Sequence, residues 1–261
     1  MSYADVNGQR IYFEDTGGDG APVILAHGFL MDHTMFAPQV AALRDRYRVI
    51  TWDERGFGLT EFDGRPFTYW DSARDCLALL DHLGIERAVV GGMSQGGFLS
   101  MRAALLAPER VRALILLDSG TKLYEDEERA ANQGMVDLWL SVGPVDELAQ
   151  TVATIIIDDA IESPKWIATW QARDKELIRE PAATLLGRDD ITSRLPEITC
   201  PVLIVHGTED TAIRMEDPEL MASLLPGCDG VVKVSGAHAA NLTNPEPVNA
   251  AILDFLARIP A

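Results

Sequence analysis

Hydrophobic and polar positions follow two rhythms along the chain. Residues 3–6 and 9–14 alternate apolar with polar, the mark of half-buried strands. Asn7-Gly8 between them is the strongest short-range signal of a hairpin, so an antiparallel pair is expected to open the fold. Six short apolar runs follow at 23–26, 48–52, 88–91, 113–117, 202–206 and 230–234, and they read as strands buried on both faces. Amphipathic stretches at 36–43, 69–83, 96–107, 218–225 and 245–256 alternate with them and read as helices. This order predicts an α/β fold, an eight-stranded, mostly parallel sheet with helices on both faces.

The alternation stops between residues 119 and 195. Helical patterns at 125–140, 145–157, 164–178 and 181–186 fill that stretch without a convincing strand. The expected organisation is a core of residues 1–118 and 196–261, interrupted between strands 6 and 7 by a helical cap at 119–195. Such a cap overhangs the C-terminal edge of the sheet, where open α/β proteins place their sites. The run Glu125-Asp126-Glu127-Glu128 fits the first turn of a solvated helix, where the helix dipole favours negative charge. No fixed-period repeat or low-complexity tract interrupts the pattern.

Composition narrows the field of partners. The 261 residues carry 22 Lys+Arg against 40 Asp+Glu, a formal charge of −18. Phosphate backbones and anionic membranes need a basic surface, so neither nucleic acid nor a membrane is an expected partner. No apolar run approaches the ~20 residues of a membrane span. The N-terminal residues show neither the basic nor the apolar region of a signal peptide, so a cytoplasmic location is expected. The sequon Asn241-Leu242-Thr243 carries no weight without a secretory signal. Cys76, Cys200 and Cys228 form neither a disulfide framework nor a metal-ligand spacing, and Cys76 and Cys200 are expected to be buried.

The chemistry centres on Gly92-Met93-Ser94-Gln95-Gly96, a G-x-S-x-G motif preceded by an apolar strand and followed by a helix. A tight strand-to-helix turn holds such a serine in a strained conformation and needs small flanking residues. Ser94 is therefore the expected nucleophile, and a serine hydroxyl needs a base. Among the five histidines, His33 and His82 are expected at the surface. His27 and His206 end strands and read as packing residues. His238, in the small-residue loop Ser235-Gly236-Ala237-His238 before the last helix, is the expected base. Its carboxylate partner is Asp210 or Asp118, with Glu209 a weaker candidate. The turn glycine and spacing of His206-Gly207-Thr208-Glu209-Asp210 favour Asp210, while Asp118 also suits a cap at the entrance to the inserted helices. The expected oxyanion donors are the amides of Gln95 and of Phe29 in His27-Gly28-Phe29-Leu30.

With these pieces assembled, the chain resembles the α/β-hydrolase superfamily over nearly its whole length. The resemblance rests on His27-Gly28-Phe29, Asp53-Glu54-Arg55-Gly56-Phe57-Gly58, the Ser94 motif, Gly207-Thr208-Glu209-Asp210 and His238. It implies that the Asp53–Gly58 turn is structural, and its layout is similar to carboxylesterases and 3-oxoadipate enol-lactonase-type hydrolases. Where those enzymes carry Ser-Met-Gly-Gly, this chain has Ser94-Gln95-Gly96-Gly97, and the usual Gly-His is here Ala237-His238. The expected activity is hydrolysis of small carboxylic esters through an acyl-enzyme, with no metal or organic cofactor. A lactonase or a C–C bond hydrolase on the same triad is the alternative, and a non-catalytic ligand binder a more distant one. Met31, Trp139, Trp166 and Trp170 are candidates for lining an apolar acyl pocket; at helical spacing they equally suit the core.

Overall fold

The computed structural model describes residues 2–259. β1 (Ser2–Val6) and β2 (Gln9–Asp15) form the expected hairpin, with Val6 opposite Gln9. Asn7 and Gly8 both take positive φ, 47° and 74°, as a two-residue type I′ turn requires. Six strands follow: β3 (Ala21–Ala26), β4 (Tyr47–Trp52), β5 (Ala88–Met93), β6 (Val111–Leu117), β7 (Val202–Gly207) and β8 (Cys228–Val234). They join one sheet in the order β1-β2-β4-β3-β5-β6-β7-β8. β2 runs antiparallel to β4, and every pairing from β4 to β8 is parallel.

Side-chain alternation splits the core into two layers. Val23 and Leu25 face one side of the sheet and Ile24 and Ala26 the other, as do Ala113 and Ile115 against Leu114 and Leu116. The first layer packs on α1 (Ala37–Leu43), the second on α2 (Tyr69–His82) and α3 (Gln95–Leu106). Thr68 and Asp71 close a reciprocal capping box at the start of α2.

Between β6 and β7 lie α4 (Asp126–Val142), α5 (Asp146–Ile156), α6 (Glu162–Gln171) and α7 (Arg179–Leu186), with no strand among the described residues. The helix expected over 164–178 is broken. α6 stops at Gln171, and a 3-10 turn restarts at Lys175 under an Asp174 cap on the Glu176 amide. Trp139, Val152, Ile156, Trp166 and Trp170 of these helices join the first core layer. The indole N–H of Trp170 donates to the Leu30 carbonyl at 2.6 Å, tying the inserted helices to the loop after β3.

The chain ends with α8 (Glu216–Leu224), α9 (Ala240–Thr243) and α10 (Pro245–Leu256). α8 covers the second layer through Met221, and α10 covers the first through Val248, Ile252 and Phe255. One strand departs from expectation. β8 reads as a buried apolar run, yet only Val234 in it is buried. As the last strand of the sheet it has a single neighbour, and most of its side chains meet solvent. Among the described residues, no helix is long and apolar enough to cross a membrane.

Candidate active site

β5 delivers Ser94 to the C-terminal edge of the sheet and α3 begins at the next residue. Ser94 holds φ 52° and ψ −114°, a conformation that costs an L-residue free energy and persists only where its surroundings fix it. Its amide donates to the Leu117 carbonyl at 2.9 Å, and its carbonyl accepts from the Ser119 hydroxyl at 2.8 Å. Glycine is required beside it for want of space. A Cβ on Gly92 or Gly96 would run into the carbonyl oxygen of Ala26 on β3.

His238 lies in the loop between β8 and α9, buried like Ser94. Its Nδ1 is 2.7 Å from Oδ2 of Asp210. The Oδ1 of Asp210 accepts from the amides of Ala212 and Ile213 at 2.8 and 2.9 Å, so the turn after β7 fixes the carboxylate. Burial pushes the Asp210 carboxyl up, but the charge and hydrogen bond of His238, the Ile213 amide and His206 outweigh it and hold the pKa below the usual range. Asp118 sits at the end of β6 with φ 44° and accepts from the Gly207 amide at 2.7 Å. Burial, then the charge of Asp210, push its carboxyl well above the usual range. The geometry therefore pairs His238 with Asp210. Glu209 is bonded instead to the Gly236 amide.

The remaining histidines divide differently from expectation in one case. His27 and His206 are buried, and burial lowers both pKa values. His82 is exposed. His33, expected at the surface, is buried with Nδ1 2.8 Å from Asp53 Oδ1. Burial alone would lower its pKa, but the hydrogen bond and charge of Asp53 raise it. A residue just before a helix looks solvated in sequence. Here the loop folds over the buried Asp53, which also accepts the His33 amide at 2.7 Å.

The loop after β3 places Phe29 on the same side of the sheet edge as Ser94. No protein acceptor takes the Phe29 or Gln95 amide among the described residues. Gln95 opens α3, where first-turn amides have no intrahelical partner. Its side chain, which stands where the related enzymes carry Met, is held at both ends of its amide. Nε2 donates to Glu54 Oε1 at 3.1 Å and Oε1 accepts from the Tyr69 hydroxyl at 3.2 Å.

Ser94 and His238 open together into a cavity of about 680 Å³, within the range of small-molecule sites. Its wall next to the inserted helices carries apolar Met135, Trp139, Val152, Ile156 and Ile178 together with polar Glu125, Glu128 and Asn132. Phe98, one turn after Ser94, and Arg188 also line it, and sequence spacing pointed to neither. Among the four pocket residues considered, Trp139 lines this cavity. Met31, Trp166 and Trp170 do not, being packed in the core layer beneath. Helical spacing identifies an apolar face without telling whether that face meets a cavity or another side chain.

The α/β hydrolase fold family matches residues 21–245. The chain is 27% identical over 253 residues to 3-oxoadipate enol-lactonase 1 of Acinetobacter baylyi, covering 92% of this chain and 90% of that one. It is 30% identical over 271 residues to RutD of Azorhizobium caulinodans, provisionally named a carbamate hydrolase, covering 99% of each. A malate-bound thermophilic esterase from Thermogutta terrifontis superposes with a TM-score of 0.89 at 29% identity, over 98% of this chain and 96% of that one.

Proposed function

The chain belongs to the α/β-hydrolase family, and on that premise we propose that it hydrolyses small carboxylic esters or lactones through Ser94, His238 and Asp210. The observation that carries this reading is the Asp210–His238 hydrogen bond beside a cavity that both Ser94 and His238 line. Asp210 holds the imidazole with its proton on Nδ1, leaving Nε2 free to take the Ser94 proton. Ser94 attacks the acyl carbon, and the amides of Phe29 and Gln95 receive the oxyanion. His238 then protonates the leaving group, and water, activated by the same imidazole, releases the acid. Pre-set amide donors of this kind each contribute about 2.7–4 kcal/mol of transition-state stabilisation.

The helical segment between β6 and β7 acts in this reading as a cap. Its apolar side chains, among them Met135, Trp139, Val152 and Ile156, favour an apolar acyl or ring portion of the substrate, with Glu128, Asn132 and Arg188 offering polar groups in the same wall. An ester and a lactone offer the same electrophile, and the likeness to an enol-lactonase supports the cyclic substrate as much as the esterase neighbour supports the open one. A cytoplasmic setting fits the three free thiols, Cys76, Cys200 and Cys228.

The test is turnover of a panel of aryl esters, γ-lactones, carbamates and 1,3-diketones by wild type and Ser94→Ala. The reading expects ester or lactone turnover that falls by orders of magnitude in the variant. Exclusive turnover of carbamates or diketones overturns the substrate class, and retained turnover in Ser94→Ala overturns the mechanism.

A further inference from the structure

Glu54 lies in the Asp53-Glu54-Arg55-Gly56 turn, to which the serine mechanism gives no task. Its side chain is buried to 1% exposure, an expensive place for a carboxyl. Two hydrogen bonds lead from it in different directions. The main-chain N–H of Glu54 donates to Nε2 of His27 at 3.0 Å, which leaves the imidazole proton on Nδ1. That Nδ1 lies 2.8 Å from the Gly28 carbonyl and donates to it. The Gly28 carbonyl and the Phe29 N–H belong to one planar peptide, so fixing the first directs the second. The Met31 amide donates to the same carbonyl at 3.0 Å.

The second bond runs through the side chain. Glu54 Oε1 accepts from Gln95 Nε2, and the Tyr69 hydroxyl closes the other end of the Gln95 amide. Gln95, whose own N–H is the other oxyanion donor, is thereby clamped at the first residue of α3. We infer that the Glu54 side chain is a positioning residue for the oxyanion hole, acting on the Gln95 amide through the Gln95 side chain, while the main-chain N–H of the same residue orients His27 and, through it, the Phe29 amide. The inference rests on the serine-hydrolase reading above.

The charge state of Glu54 suits this task. Facing it are Gln95 from α3, His27 from the end of β3, and Tyr69, Ser72, Asp75 and Cys76 from α2. Arg55, the nearest cation in the turn, is committed to Asp75 in a bidentate pair. Burial, opposed by the Gln95 bond and reinforced by Asp75, pushes the Glu54 carboxyl well above the usual range. The Ser72 hydroxyl lies beside the carboxyl and, like the Gln95 bond, works against that rise without cancelling it. In its protonated form, which burial favours, Glu54 keeps the clamp without placing negative charge near a developing oxyanion.

The test compares wild type, Glu54→Ala, Glu54→Gln and Gln95→Leu. It measures kcat and KM on an aryl ester across pH, inhibition by an aryl trifluoromethyl ketone, fluorophosphonate labelling of Ser94, and thermal unfolding. Glu54→Ala and Gln95→Leu are expected to lower kcat by about tenfold or more, short of the roughly 10²–10³ that follows outright loss of a donor, with KM nearly unchanged. Ketone inhibition weakens by the same factor as kcat/KM falls, because the bound hemiketal mimics the oxyanion. Glu54→Gln, isosteric with the neutral acid, is expected to recover most of the loss and to lack the alkaline fall in kcat expected of wild type.

A folded Glu54→Ala with unchanged kcat and ketone affinity overturns the inference. Should Glu54→Ala fail to fold, Gln95→Leu and the Glu54→Gln pH profile decide in the same two directions. Absence of labelling in wild type removes the serine reading and this inference with it. Labelled wild type beside an unimpaired Glu54→Ala removes the inference alone.

Discussion

The Oδ2 of Asp210 meets Nδ1 of His238 at 2.7 Å, and the same carboxylate is pinned from behind by the amides of Ala212 and Ile213. Asp118, one strand away, turns its carboxyl to the Gly207 amide instead. The two acids thus have separable duties. Asp210→Asn is expected to lower kcat by on the order of 10⁴-fold, because the amide favours the wrong imidazole tautomer. Asp118→Asn, close in shape to the neutral acid, is expected to keep kcat within about threefold, since no contact to His238 is removed. Parallel kinetics on one aryl ester check this, and a crippled Asp118→Asn beside an active Asp210→Asn reverses the assignment.

Stability should depend on pH with a sign set by Asp118. Its folded pKa lies above the unfolded value, so the folded state holds the proton more tightly. Stability from this group is therefore lost as pH rises from about 4 toward the folded pKa. Asp210 works in the opposite direction, contributing above about pH 4 and losing that contribution as pH falls through its lowered folded pKa. Thermal unfolding of Asp118→Asn should gain on wild type between about pH 5 and pH 8. A difference that stays constant across that range contradicts the neutral assignment.

The elbow is a matter of space. Gly96→Ala drives a methyl into the Ala26 carbonyl, which backbone cannot vacate without shifting β3. A loss of about 1–3 kcal/mol or more in unfolding free energy is expected, as for other overpacked sites. Denaturant unfolding reads it directly, and a neutral substitution would mean that the elbow is looser than drawn.

Trp139 and Trp166 differ in what they touch. Trp139 lines the cavity and Trp166 the core layer below it. Trp166→Ala should cost about 3–5 kcal/mol of stability and leave the ranking of substrates intact. Trp139→Ala should change the ranking toward bulkier acyl groups. A panel of acyl chain lengths, read with unfolding midpoints, separates the two outcomes.

The legible parts of this protein are those with a local physical cause. Ser94 stands out because its positive φ and the approach of β3 demand glycine at 92 and 96, which leaves a short readable string. The opening hairpin is legible for the same reason, since Asn7-Gly8 is a local solution to a turn. Asp210 and Asp118 both follow a strand, and only the wrap of the 207–213 loop decides which one meets His238. His33 looked solvated because nothing nearby in sequence reveals that Asp53, 20 residues on, closes over it. The Glu54–Gln95 contact spans 41 residues and two elements, and neither side chain alone signals the other. β8 misled for a related reason. An apolar run looks the same at the centre of a sheet and at its edge.

The central claim is that Ser94 forms a covalent acyl bond. Intact-mass measurement after mixing with excess p-nitrophenyl acetate at acidic quench, followed by peptide mapping, tests it most directly. The account predicts one added acetyl group per chain, mapped to the peptide bearing Ser94 and absent from Ser94→Ala. Turnover with no adduct on Ser94, or an adduct that persists in Ser94→Ala, would contradict it.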